Sequence, residues 1–306
     1  MDEFLRAFED AVGDQPAELA YAKINLALHV LGRRTDGYHN LESLVVFADY
    51  GDMLKATPAP EGRMRLSVKG EFAETLRDST RPEDNLVIRA ATALAQAAGN
   101  AKPAHIIELV KRIPVAAGLG GGSADAAAAL RLLNRLWGTN LPPARLAEIG
   151  RKLGADVPMC LVSRPLIATG IGDRIQVVAN MPALPVVLAH PGVAVATANV
   201  FSELAADERS GLPPFPDKFT TLLEVIFWLR QARNDLADPA AAVDRAAASA
   251  SRALMRDPDC MFARMSGSGA AAFGIFINMA AAERAAERLK AARPGWWVVA
   301  AQTLAS

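Results

Sequence analysis

The segment Pro114-Val115-Ala116-Ala117-Gly118-Leu119-Gly120-Gly121-Gly122-Ser123 runs directly into the alanine-rich stretch beginning at Ala124. Glycines so closely spaced let a backbone approach a ligand and turn its N–H groups inward. The helix that opens where the loop ends aims its free N–H groups and its dipole into the same space. A polyphosphate fits such a cradle. A flexible linker is the competing reading, but linkers are polar and join domains, whereas this loop joins an apolar strand to an apolar helix.

Other residues could do chemistry around a bound phosphate. Residues 21–31 alternate, placing Lys23, Asn25, Ala27 and His29 on one strand face and Ile24, Leu26, Leu28 and Val30 on the other. If that strand is covered on both faces, Lys23 needs a carboxylate or phosphate partner; otherwise it is an exposed lysine. Asn25 shares its face and either contacts a substrate or satisfies nearby backbone. Asp156, between Gly154 and Pro158, is a candidate general base or the N-cap of a short helix. Ser123 could cap the helix, touch a phosphate or reach a metal. Tyr38 and His39 sit in a turn that suits stacking on a base, while Phe201 is either part of such a platform or core. His29, His105 and His190 read as structural.

The loop lacks the lysine of GxxxxGK[ST] and the third glycine of GxGxxG, and the chain has no HRD or DFG triplet. What remains, a P-x-x-x-G-L-G-G-G-S segment opening a helix, resembles the second motif of the GHMP kinases. Ala22-Lys23-Ile24-Asn25-Leu26 resembles their first motif, and Met265-Ser266-Gly267-Ser268-Gly269-Ala270 their third. The segments Gly32–Leu41, Gly154–Pro158, Ala168–Asp173 and His190–Gly192 narrow the resemblance to one branch of the family. It covers roughly Ala20 to Leu304. Ser123-Ala124-Asp125 departs from it, since a second hydroxyl or an aspartate commonly follows the serine; the loop's backbone donors are untouched.

The resemblance implies a two-domain α+β fold, with an N-terminal domain like the second domain of ribosomal protein S5 and a ferredoxin-like C-terminal domain. It implies ATP with Mg²⁺, and direct in-line transfer to the 2-hydroxyl of a cytidyl diphosphate sugar alcohol. Asp156 would be the base, with Lys23 beside it. Pro114 through Ala124 and Gly267, Ser268 and Gly269 would hold the nucleotide. Asn25, Tyr38, His39 and Phe201 would hold the substrate, the two aromatics sandwiching cytosine and His39 bonding its edge. The metal ligands stay open: Ser123 is one candidate, and Asp125 and Asp235 are others. Keeping both Lys23 and Asp156 disfavours a nucleotide-binding regulator without chemistry.

Composition sets the elements that must position these groups. Of 306 residues, 51% are hydrophobic, enough for a packed core, and the zero net charge disfavours a nucleic-acid partner. Cys160 and Cys260 have no zinc-ligand spacing and read as buried thiols. The acidic N-terminus has no signal-peptide core and no run is long enough to cross a bilayer, so a cytoplasmic protein is expected; oligomeric state is left open. Residues 1–19 read as an extension, 20–180 as the ATP-binding domain and 181–306 as the C-terminal domain. Strands are expected at 41–57, 63–69, 105–115, 185–189, 271–277 and 296–304, with Gly51-Asp52 and Glu61-Gly62 as punctuation. Helices are expected at 85–98, capped by Asp84, and at 123–137, 144–153, 219–232, 239–256 and 280–292.

Overall fold

The computed structural model describes residues 16–59, 62–99, 104–204 and 209–306. Most of the segment read as an N-terminal extension lies outside these residues. The chain opens with two long strands, β1 (Ala17–Arg33) and β2 (His39–Pro58), then β3 (Arg65–Lys69), α1 (Ala73–Ser79), α2 (Leu86–Ala97) and β4 (His105–Val110). Helices α3 (Gly121–Leu136), α4 (Pro143–Leu153) and α5 (Val157–Val162) follow, then β5 (Leu166–Gly170), β6 (Arg174–Val177), β7 (Pro185–His190) and α6 (Thr197–Ser202). The remainder is α7 (Leu222–Gln231), α8 (Ala237–Val243), α9 (Ser249–Met255), β8 (Cys260–Met265), β9 (Ala272–Phe276), α10 (Met279–Ala292) and β10 (Trp297–Gln302).

The described residues fall into two compact units. The first holds residues 16–22, Tyr50–Val115 and Gly120–Val162; the second holds Lys23–Asp49, Ala116–Leu119 and the chain from Ser163 onward. β1, β2 and the glycine loop each run from one unit into the other.

In the first unit the later half of β2 pairs antiparallel with β4, Met53 opposite Val110, and β3 pairs parallel with β4. β4 alternates buried and half-buried side chains, and its buried Ile107 and Leu109 face the core. The apolar faces of α2 and α3 supply Val87, Leu94, Leu130 and Leu133 to this core. Gly51-Asp52 does not break β2, as the sequence suggested. A Cβ at Gly51 would lie 2.1 Å from the Ala20 carbonyl oxygen, so the glycine lets β1 pass close by within a continuous strand. α2 is capped by Asn85, whose side chain accepts the Val87 N–H at 2.9 Å, one residue later than the expected Asp84.

In the second unit the earlier half of β2 pairs antiparallel with β5, Leu41 opposite Gly170, and β5 with β6. A four-stranded antiparallel sheet has the order β10-β7-β9-β8. Ala250 and Leu254 of α9 and Ala281, Ala282, Ala285 and Ala286 of α10 pack with Val187, Phe276 and Val298 of this sheet. Alanine at those helix positions lets the helix axes come close to the strands. The helix expected at 239–256 is instead α8, a 3-10 turn (Arg245–Ala248) and α9; the Asp244 side chain accepts the Ala246 N–H and caps the turn, ending α8. Cys160 is buried as expected, whereas Cys260 is only partly so.

Candidate active site

β1 is buried along both faces from Ala22 to Val30, so Lys23 and Asn25 are interior polar groups. Lys23 is 5% exposed and Asn25 3%. The Lys23 ammonium donates to Asn25 Oδ1 at 3.0 Å, the i, i+2 contact that a strand allows on one face. The Lys23 backbone N–H donates to the Leu119 carbonyl oxygen at 2.9 Å, and the Ala271 N–H to that of Ala117 at 2.9 Å. The Asn25 N–H donates to Ser266 Oγ at 3.1 Å, and Ser266 Oγ donates to the Gly118 carbonyl oxygen at 3.0 Å. The first motif, the leading half of the glycine loop and the third motif are therefore bonded together in the second unit.

Gly118 has φ +78, where a side chain is strained, and a Cβ there would stand 2.5 Å from the Ser266 carbonyl oxygen and 2.9 Å from the Gly269 nitrogen. The third motif's turn is held from beneath by Asn234, whose Nδ2 donates to the carbonyl oxygens of Met265 and Gly267, each at 2.9 Å. Ser268 shares a 2.8 Å hydroxyl contact with Thr197 at the start of α6.

The trailing half of the loop, in the first unit, opens α3. Its N-cap is Gly120, in the left-handed region, and no side chain caps it. Gly121 and Gly122 already belong to the helix, which starts two residues earlier than expected. Ser123 is consequently the third helical residue, not its cap, and the capping reading of that side chain is corrected. Pro114 is buried, Val115 and Gly121 half-buried, and Ala116 and Gly122 exposed; Ala117, Leu119 and Ala124 anchor the loop in the core.

Beneath Gly121 lies a charge cluster that sequence reasoning missed. Lys111 Nζ donates to Asp52 Oδ2 at 2.5 Å and to Asp125 Oδ2 at 2.8 Å, all three side chains being buried. Asp52 Oδ1 also accepts the N–H groups of Arg112 and Ile113, fixing the approach to the loop. Burial would lower the lysine's pKa, but Asp125 and Asp52 outweigh it and hold the ammonium charged. Burial pushes the Asp125 carboxyl well above the usual carboxylate range, helped by the charge of Asp52. Asp125 is thus committed to Lys111, and Asp235 to Arg233 and the Val30 N–H. Among the described residues no group of three or more His, Cys, Asp or Glu side chains could hold a metal ion.

Asp156 is half-buried and immediately precedes α5, its carbonyl oxygen accepting the Cys160 N–H at 3.1 Å. The residue stands at the start of the short helix that the capping reading expected.

The third cluster is aromatic. The His39 and Phe201 rings lie 5.2 Å apart, tilted by 31°, while Tyr38 is 62% exposed. Phe201 stands near the end of α6, half-buried, with one side packed on the Leu28–Val200–Met265 cluster. Burial, with repulsion from Arg33, lowers the His39 pKa, so its ring is neutral near pH 7 and offers one donor and one acceptor.

Comparison with known proteins adds to this geometry. Residues 85–164 match the GHMP kinases N terminal domain and residues 228–294 the GHMP kinases C terminal model. Fold and motifs together define a kinase of the GHMP class. The chain is 52% identical to the 4-diphosphocytidyl-2-C-methyl-D-erythritol kinase of Rhizobium etli, covering 94% of each chain. It is 47% identical to the kinase of that name from Chelativorans sp., covering 94% of this chain and 96% of the relative. A crystal structure of 4-(cytidine 5'-diphospho)-2C-methyl-D-erythritol kinase superposes with a TM-score of 0.77 at 32% identity, covering 95% of this chain and all of that one. The chain belongs to the 4-diphosphocytidyl-2-C-methyl-D-erythritol kinase family.

Proposed function

We propose that this kinase transfers the γ-phosphoryl group of ATP to the 2-hydroxyl of 4-diphosphocytidyl-2-C-methyl-D-erythritol, by direct in-line displacement. The observation that carries the reading is the 52% identity to a kinase named for that substrate, over 94% of both chains. The His39–Phe201 ring pair supports it, since a small alcohol gives no reason for a base-stacking platform. In this reading Tyr38 and Phe201 take the two faces of cytosine and His39 its edge.

Phosphoryl transfer is chiefly positioning and charge stabilisation. The loop 114–124 and the turn 267–269 would take the phosphates on backbone N–H groups. Asp156 would accept the hydroxyl proton as general base, and the Lys23 ammonium would hold negative charge at the reacting centre. Asn25 would orient the substrate hydroxyl, or Lys23 beside it. Mg²⁺ would arrive with ATP, ligated mostly by phosphate and water as is usual for this ion, with the Ser123 hydroxyl at the first turn of α3 as the protein's own candidate ligand. When bound, the metal would neutralise charge on the phosphates. The proposal places the reaction in the cytoplasm; no described helix is long and apolar enough to cross a membrane. It also keeps residues 20–180 as the ATP-binding domain and 181–306 as its C-terminal partner.

ADP release from Mg-ATP tests the reading across 4-diphosphocytidyl-2-C-methyl-D-erythritol, methylerythritol phosphate, mevalonate, homoserine and galactose. Turnover confined to the cytidyl compound is the expected result. Turnover of a small alcohol instead would keep the kinase and overturn its substrate.

A further inference from the structure

We infer that Ser43 is a positioning residue for phosphoryl transfer, acting through Asn25 on the ammonium of Lys23. The inference rests on the proposed role of Lys23.

Ser43 lies on β2 and is fully buried. Its hydroxyl has one hydrogen, and that hydrogen is committed: Oγ donates to the Ala27 carbonyl oxygen at 2.7 Å. The same oxygen lies 2.7 Å from Nδ2 of Asn25, so it accepts there. The amide of Asn25 is thereby fixed in one orientation, with its carbonyl oxygen toward Lys23 Nζ at 3.0 Å. The opposite rotamer would set the NH₂ group against the ammonium and the carbonyl oxygen against a hydroxyl whose hydrogen is already used. Ser43 therefore decides which end of the amide faces the lysine, and holds it there from the side away from the ammonium.

Without the hydroxyl, the Ala27 carbonyl and the Asn25 Nδ2 both lose a buried partner, and the Asn25 amide is held only by Lys23. The lysine head then loses the fixed position of its Asn25 acceptor. Misplacing a charge by about an ångström at a phosphoryl-transfer centre costs on the order of 10²-fold in rate. The loss belongs in kcat, because Ser43 and Asn25 would act on the reacting centre and not on the nucleotide or cytosine subsites.

Steady-state kinetics with Mg-ATP and 4-diphosphocytidyl-2-C-methyl-D-erythritol test this on Ser43→Ala and Ser43→Cys. The second variant keeps the volume but bonds weakly, and carries the test should the first not fold. Both are expected to lose about 10- to 100-fold in kcat, with KM for either substrate within about threefold. Ser43→Thr, which keeps the hydroxyl, is expected to restore most of the loss. In a Lys23→Met background, Ser43→Ala is expected to add little further loss, since the two act as one unit. A kcat within about twofold of wild type in both Ser43→Ala and Ser43→Cys would overturn the assignment, as would full additivity with Lys23→Met. Failure of the underlying reading looks different: Lys23→Met itself would then turn over like wild type, removing the role of the lysine together with that of Ser43.

Discussion

The Ser266 hydroxyl donates to the carbonyl oxygen of Gly118 while accepting the backbone N–H of Asn25, at 3.0 and 3.1 Å. One buried side chain thus ties three sequence motifs, at about one net hydrogen bond's worth of stability per contact, roughly 1 kcal/mol each. The energy is modest; the consequence is geometric. The leading half of the glycine loop has little freedom to shift relative to the Asn25 stretch of β1 or the 266–269 turn, so its backbone is preorganised.

That packing leaves no room for a side chain at Gly118. An alanine there meets the Ser266 carbonyl and the Gly269 backbone, and adopts a strained φ as well. At Gly122 the nearest atom to an added Cβ is Leu86 Cδ1 at 3.5 Å, an ordinary contact. Gly118→Ala is expected to raise KM for ATP by at least about tenfold or unfold the loop, with Gly122→Ala within about threefold of wild type. ATP titration of both variants decides it, and equal behaviour would refute the packing argument.

The Asp52–Lys111–Asp125 cluster separates structural from metal-binding carboxylates. Lys111→Met leaves two carboxyl groups buried without their cation and is expected to cost about 3–5 kcal/mol in urea unfolding. The amide oxygen of an asparagine at position 125 keeps the acceptor that Lys111 uses at 2.8 Å. Asp125→Asn puts an NH₂ group where Oδ1 has no partner, so it is expected to cost about 1–3 kcal/mol, less than Lys111→Met, and to leave the Mg²⁺ concentration dependence of turnover in place. A strongly raised Mg²⁺ requirement would instead make Asp125 a metal ligand.

Much of this site is legible in one dimension, and what is not has a common cause. The glycine loop and the alternation of residues 21–31 are local patterns, and local patterns survive translation into structure. Asp52 reads as part of a turn and Asp125 as a candidate metal ligand, with nothing to link either to Lys111; only folding brings both carboxylates within 2.8 Å of its ammonium. Gly51-Asp52 reads as a turn because glycine beside aspartate usually is one, yet a neighbouring backbone demands the glycine inside a strand. β8 escaped notice because Arg264 interrupts its apolar pattern. That arginine is spent on the carbonyl oxygens of Leu26, Leu229 and Ala232 and lies over the Phe262 ring. Ser43 carries no signal at all, since an isolated serine reads as polar filler until its partners are known.

His190 gives the fold a pH dependence of predictable sign. It is buried at the end of β7, its Nε2 has no partner, and burial lowers its pKa from 6.5 to about 4. A histidine with a depressed folded value is neutral in the fold but takes up a proton when unfolded. Its contribution is intact above about pH 6.5 and is lost as pH falls toward 4, up to about 3 kcal/mol. Comparing urea unfolding at pH 7 and pH 4.5, wild type should lose more stability than His190→Gln. An equal loss in the two proteins would assign the acid sensitivity elsewhere.

Asp156 is the position on which the chemistry of the proposal turns. Replacing its carboxylate with the isosteric amide keeps the backbone acceptor that starts α5, so Asp156→Asn should fold normally and bind ATP with near wild-type affinity. What it removes is the proton acceptor, worth about 10²–10⁴-fold in kcat. Tm and an ATP-binding isotherm serve as controls, and single-turnover formation of ADP reads the chemical step. Lost kcat with intact binding is the expected pattern. Near-normal single-turnover rates would leave Asp156 as the residue that starts a short helix, and would require the hydroxyl proton to leave with the transferred phosphoryl group.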